Sequence, residues 1–86
     1  GLTPSLLSAL AVVHVHGPLT LGSLAQLEGI APPTVTKIVG KLQDQGLVAG
    51  LKDESGPLLS HLRVTPQGFG KIDEVLGAAL VIARRR

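Results

Sequence analysis

Lys37 and Lys41 stand four residues apart, and Pro33, Thr34 and Thr36 come just before them. Together these side chains suit one kind of chemistry. A threonine hydroxyl hydrogen-bonds a base edge and its methyl packs on a thymine methyl, while lysine reaches guanine or a phosphate. Lys41, one turn further on, is placed to meet backbone phosphate. Lys52 and Arg63 flank a later polar stretch and add two cations suited to clamping phosphates. Asp53 and Glu54 sit in that same stretch and oppose an anionic partner. The plain alternative for all seven is a solvated surface of ordinary composition.

Presenting such residues takes a rigid rod anchored on one side. Leu24, Ala25, Gly29, Ile30, Val35 and Ile38 carry the spacing of two short helices joined by a glycine turn. The small Ala25 lets a second helix cross closely, and Gly29 takes the positive φ of a sharp turn. The apolar members form the wedge that sets the crossing angle. The second helix then spans residues 21–28 and the third residues 32–45, with Gly46 as its left-handed stop. In the third helix Val35, Ile38, Val39 and Leu42 face inward, while Pro33, Lys37, Gly40, Lys41 and Asp44 face outward. Such a bihelical unit offers its second helix to a DNA major groove.

Three threonines mark helix starts. Thr3, Thr20 and Thr65 each follow an apolar residue and precede another four residues later, the pattern of a cap with a hydrophobic staple. Pro4 and Pro66 take first helical positions, where a missing N–H does no harm. A first helix therefore runs over 4–16, with Leu6, Leu10 and Val13 on its inner face and Ala11, Val12 and Val15 on the other. Leu47–Leu51 and Leu58–Val64 flank a polar stretch with glycine and proline, which is a hairpin signal. The last helix starts at Pro66 with Phe69, Ile72 and Leu76 inward, then turns apolar all round after Glu74. A helix with no polar face needs cover, and a second subunit is the expected source. The fold class is mainly α with a small β-hairpin (α+β), a winged helix-turn-helix over residues 1–86.

Other chemistries find no support. His14 and His16 are two apart and diverge on a helix, and His61 is remote in sequence. No serine has the context of a nucleophile elbow. The carboxylate pairs Asp53-Glu54 and Asp73-Glu74 are adjacent and diverge, and Gly68-Phe69-Gly70 lacks the lysine of a phosphate loop. Neither an enzyme nor a metal or cofactor is expected. There is no cysteine, which excludes disulfides and thiolate sites and fits a reducing cytoplasm. No apolar run is long enough for a bilayer, and the first residues lack a signal-peptide pattern. The lack of methionine is expected of a fragment or processed chain.

Charge gives a more divided message. The formal net charge is +2, yet Arg84, Arg85 and Arg86 supply three of the eight cations. Residues 1–83 carry five basic and six acidic side chains. The terminal arginines read best as a solvated end.

Leu19–Ala25, Ala31–Val39, Leu42, Gly46-Leu47-Val48 and Val64–Gly68 together resemble the MarR-type family, the multiple-antibiotic-resistance regulators. The resemblance covers most of the chain. It implies a dimeric transcriptional regulator, usually a repressor, joined through helices at both chain ends, with residues 66–86 starting the dimerisation helix. It also implies double-stranded DNA as partner and a small apolar or phenolic ligand that releases it. Helix 32–45 would enter the major groove, and the wing, residues 47–64, would lie near the minor groove. Two positions depart from the family pattern. The wing arginine common in the family falls at Gly56-Pro57-Leu58, and Ala31 stands where the family often has a capping residue. The competing reading is a winged-helix protein-interaction module with weak or no DNA binding. It draws on the near-neutral body and the apolar outer faces of the first and last helices.

Overall fold

Local signals decide where the helices begin. In the computed structural model, which describes residues 2–52 and 59–84, the chain runs α1 (Pro4–His16), α2 (Leu21–Glu28), α3 (Pro32–Asp44), β1 (Val48–Lys52), β2 (Leu59–Val64) and α4 (Pro66–Arg84). Thr3 Oγ1 accepts from the Leu6 N–H at 3.2 Å, and Thr20 Oγ1 from the Ser23 N–H at 3.0 Å. Thr65 Oγ1 accepts from the Gly68 N–H at 3.1 Å. Each is a side-chain cap on a donor that the helix leaves free. Gly29 and Gly46 take φ of 67° and 73°, the left-handed turns that end α2 and α3. Helix α3 stops at Asp44, one residue short of the expected end, because Gln45 already caps it.

The core lies where α1, α2 and α3 meet the hairpin. Leu6, Ala9, Leu10 and Val13 of α1 pack with Leu24 and Ala25 of α2 and with Val35, Val39 and Leu42 of α3. Leu47, Val48, Leu62 and Val64 close it from the hairpin side, and Ile72 from α4. Ile38 is partly buried at the edge of this cluster. Buried apolar area of this kind is the main stabilising term for so small a domain.

The hairpin is antiparallel, pairing Val48 with Val64, Ala49 with Arg63, Leu51 with Ser60 and Lys52 with Leu59. One extra residue on β2 breaks the register between Ala49 and Leu51. His61 takes it up with φ 54°, a left-handed conformation that histidine tolerates better than most residues. The outer edge of β2 is also used. Leu19 and Leu62 exchange both backbone bonds, Leu19 N to Leu62 O at 3.1 Å and Leu62 N to Leu19 O at 2.8 Å. The link between α1 and α2 thus covers part of that edge.

Helix α4 corrects one expectation. Phe69 and Leu76 were expected inward, but they are 46% and 57% exposed. Ile72 is inward as expected, and its companion on the buried stripe is Gly68, one turn earlier. A Cβ on Gly68 would strike the Leu47 carbonyl oxygen, so its absence lets α4 lie against the start of the hairpin. That choice of face rotates Phe69 outward, where its ring meets His14 edge-on at a centroid distance of 4.9 Å.

Candidate nucleic-acid interface

Helix α3 is anchored on one side and open on the other. Val35, Val39 and Leu42 are nearly inaccessible, at 1%, 4% and 0% exposure. Pro33, Thr34, Thr36, Lys37 and Lys41 are all exposed. The wedge expected from the sequence holds this geometry. Leu24 and Ala25 are buried beneath α3, and the Ile30 N–H donates to the Ala25 carbonyl at 3.1 Å across the turn.

The start of α3 solves its capping problem in its own way. Ala31 sits at the N-cap with no side-chain hydrogen bond. Pro32 and Pro33 follow, and proline has no N–H to satisfy. The Thr34 N–H bonds the Ala31 carbonyl at 3.0 Å. The donor that Thr3, Thr20 and Thr65 serve in their helices, at the third helical position, is here the Thr34 N–H, and that backbone bond already meets it, so the Ala31 departure costs less than a lost cap elsewhere.

Thr34, Lys37 and Lys41 come together along one groove of about 370 Å3, shared with Thr3, Ser5, Leu6 and Ile38. Pro33 and Thr36 belong to neighbouring parts of the exposed face. Thr36 Oγ1 donates to the Pro32 carbonyl at 3.1 Å. Among the described residues the ion pair present is Lys71 with Glu74, at 3.5 Å on α4. Lys37 and Lys41 thus keep their charge unneutralised by any described carboxylate.

The hairpin places Arg63 exposed on β2, opposite Ala49. Lys52 closes β1 opposite Leu59, and its side chain lies outside the described residues. The positions Asp53, Glu54 and Gly56-Pro57-Leu58 also lie outside them, as do Arg85 and Arg86. A second groove, about 310 Å3, runs between α1 and α3 and is bordered by Ser8, Glu28, Ile30 and Thr34. Ser8 Oγ lies 3.0 Å from both Glu28 carboxylate oxygens and ties α1 to the end of α2. Sequence reading missed this link, because nothing in the spacing of Ser8 and Glu28 predicts that they meet. No group of three or more His, Cys, Asp or Glu side chains among the described residues is placed to hold a metal ion.

Three helices wedged beneath a two-stranded hairpin, with the third helix exposed, define a winged helix-turn-helix. The model of the MarR family matches residues 2–55, and the chain belongs to that family of transcriptional regulators. It is 29% identical over 85 residues to the HTH-type transcriptional repressor MdtR of Bacillus subtilis (strain 168), covering 99% of this chain and 55% of that protein. The chain thus spans little more than half the length of that relative. The crystal structure of YusO protein from Bacillus subtilis superposes with a TM-score of 0.86 at 29% identity, over 99% of this chain and 60% of that one. Streptococcus pneumoniae FabT, solved in complex with DNA, shares the fold with a TM-score of 0.79 at 14% identity, over 98% of this chain and 59% of that one.

Proposed function

We propose that this domain binds double-stranded DNA sequence-specifically as a transcriptional regulator. Helix α3 lies in a major groove, and the β1–β2 hairpin lies beside the adjacent minor groove. The observation that carries the reading is the two-sided character of α3: Val35, Val39 and Leu42 are anchored, while Pro33, Thr34, Thr36, Lys37 and Lys41 are free. The distribution of cations agrees. Of the five basic residues before Arg84, four are Lys37, Lys41, Lys52 and Arg63, on α3 and the hairpin. The FabT complex gives the same fold a DNA partner, and the name of MdtR gives repression as the direction.

The finer reading follows from that frame. The regulator acts as a homodimer, with α4 opening the dimerisation helix. Val15 at 70%, Val75 at 40% and Leu76 at 57% exposure are the apolar surface that asks for cover. Two recognition helices would then enter successive major grooves about one turn apart. A small apolar or phenolic effector is the input proposed for it, and both grooves flanking α3 would set such a ligand against Thr34 and Ile38. The cytoplasm is the proposed location. No helix among the described residues is long and apolar enough to cross a membrane.

Fluorescence anisotropy with the intact protein and DNA from its own promoter tests the reading. Specific binding is expected, with Lys37→Ala lowering affinity in a sequence-dependent way. Lys41→Ala should weaken all sequences alike and lower the salt slope by about 1 per protomer. Equal, weak binding to promoter and random DNA would leave the interaction-module alternative in its place.

A further inference from the structure

Glu28 is the last residue of α2, and its charge has no counterpart there. The C-terminal end of a helix carries the negative pole of its dipole, so a carboxylate is disfavoured at that end and a cation beside it is favoured. Among the described residues no lysine, arginine or histidine pairs with Glu28, since the ion pair present is Lys71 with Glu74. Its partner is the Ser8 hydroxyl, 3.0 Å from both carboxylate oxygens. A hydroxyl brings one proton, whereas a carboxylate accepts at about four positions, so most of its capacity is left over.

That carboxylate borders a groove. The cleft between α1 and α3, about 310 Å3, has Pro4, Ile30 and Ile38 as apolar walls and the Ser8 and Thr34 hydroxyls beside Glu28. Apolar walls with a few converging polar groups are the usual make-up of a small-molecule site, and this volume stands at the small end of such sites. No lysine or arginine lines it. The groove of about 370 Å3 that shares Thr34 and Ile38 with it has the opposite character, with Lys37 and Lys41 in its wall and no carboxylate. Two neighbouring recesses beside α3 thus differ in the sign of their charge.

We propose that the groove between α1 and α3 binds a small organic cation, an ammonium group on an apolar body, with Glu28 meeting the charge and Ile30 and Ile38 the body. Charge complementarity selects this class. An anion is repelled by Glu28 and drawn to the neighbouring lysines, and a neutral molecule leaves the carboxylate without a counter-charge. The inference goes beyond the effector reading above, because it gives this groove a ligand class of its own and leaves a phenolic ligand to the lysine side.

The test uses the intact protein and three probes of one shape: benzylammonium, benzyl alcohol and benzoate. Binding is followed by the backbone amide signals of Ser8, Glu28, Ile30 and Thr34 in proton–nitrogen correlation spectra. Benzylammonium is expected to shift these four signals and to saturate in the millimolar range, with benzyl alcohol about fivefold weaker and benzoate without effect on them. Added salt should weaken benzylammonium and not benzyl alcohol. Glu28→Gln still offers an acceptor to the Ser8 hydroxyl, and should lose about fivefold in affinity for benzylammonium while holding that for benzyl alcohol. Glu74→Gln removes a carboxylate elsewhere, on α4, and should leave both affinities unchanged. Equal affinity for benzylammonium and benzyl alcohol, unchanged benzylammonium affinity in Glu28→Gln, an equal loss in Glu74→Gln, or no shift at the four amides overturns the cation site. DNA binding is read separately, by anisotropy, and stands under each of these results.

Discussion

Thr65 joins three elements through one hydroxyl, and replacing it by valine should cost more than replacing either of the other capping threonines. Its Oγ1 accepts from the Gly68 N–H at 3.1 Å, which caps α4, and donates to the Gly46 carbonyl at 2.6 Å, which holds the turn from α3 into β1. Thr20 makes the same kind of cap, to the Ser23 N–H at 3.0 Å, but donates only to the exposed Ser23 hydroxyl. Loss of a cap costs about 0.5–2 kcal/mol. An unmade bond at a partly buried carbonyl adds about 0.5–1.5 kcal/mol. Valine keeps the shape of threonine, so no cavity adds to either figure. Thr65→Val is therefore expected to destabilise by about 2 kcal/mol and Thr20→Val by about 1 kcal/mol.

The chain has no tryptophan or tyrosine, so helical circular dichroism during urea titration is the suitable signal. Protein concentration is held fixed, since assembly shifts the apparent midpoint. The midpoint of Thr65→Val should fall about twice as far as that of Thr20→Val, at unchanged slope. Thr65→Ser, which retains both bonds, should lie near the wild type. Equal midpoints for Thr65→Val and Thr20→Val would refute the argument that the Gly46 bond adds to the cap.

Two more substitutions probe how α3 and α4 are seated. Gly68→Ala puts a Cβ onto the Leu47 carbonyl and 2.5 Å from Val64 Cγ1, and should destabilise by about 1–3 kcal/mol in the same urea assay, although alanine is the better helix former. Ala31→Ser should stabilise by no more than about 0.5 kcal/mol, the low end for a cap, because the Thr34 N–H it would serve already bonds the Ala31 carbonyl. A gain of more than about 1 kcal/mol would show that the Thr34 N–H bond to the Ala31 carbonyl is weak.

The helices were legible because their punctuation is local. Thr3, Thr20 and Thr65 cap, Pro4, Pro32 and Pro66 lead, and Gly29 and Gly46 stop, all by rules that act within a few residues. The exposure of Pro33, Thr34, Thr36, Lys37 and Lys41 follows from the 3.6-residue period that buries Val35, Val39 and Leu42. What escaped the sequence depends on distant partners. Phe69 and Leu76 fit an inward stripe by period alone, but the close approach of Gly68 to Leu47 selects a different face. The Leu19–Leu62 bridge and the Ser8–Glu28 link join residues 43 and 20 positions apart, and neither leaves a pattern near its own residues. His61 has no turn signature either, because its left-handed φ answers to the bulge in a register set by two strands.

The scarcity of charge bears on how such a domain would hold DNA. A regulator with a broadly basic face draws much of its affinity from phosphate neutralisation. Here Lys37, Lys41, Lys52 and Arg63 are the basic residues on α3 and the hairpin, in a body whose acids outnumber its bases. Few phosphates are within the means of so few cations, so on the proposed reading close fit must supply a larger share of the binding. The exposed face of α3 suits such a fit: two prolines fix its first turn, and Thr36 holds its hydroxyl on the Pro32 carbonyl. Weak electrostatics and a close-fitting helix surface are then two sides of one arrangement. Van der Waals contacts are short-ranged and lose strength steeply with distance. They discriminate only when the helix seats fully, and that makes the anchoring of Val35, Val39 and Leu42 a condition of specificity as well as of stability.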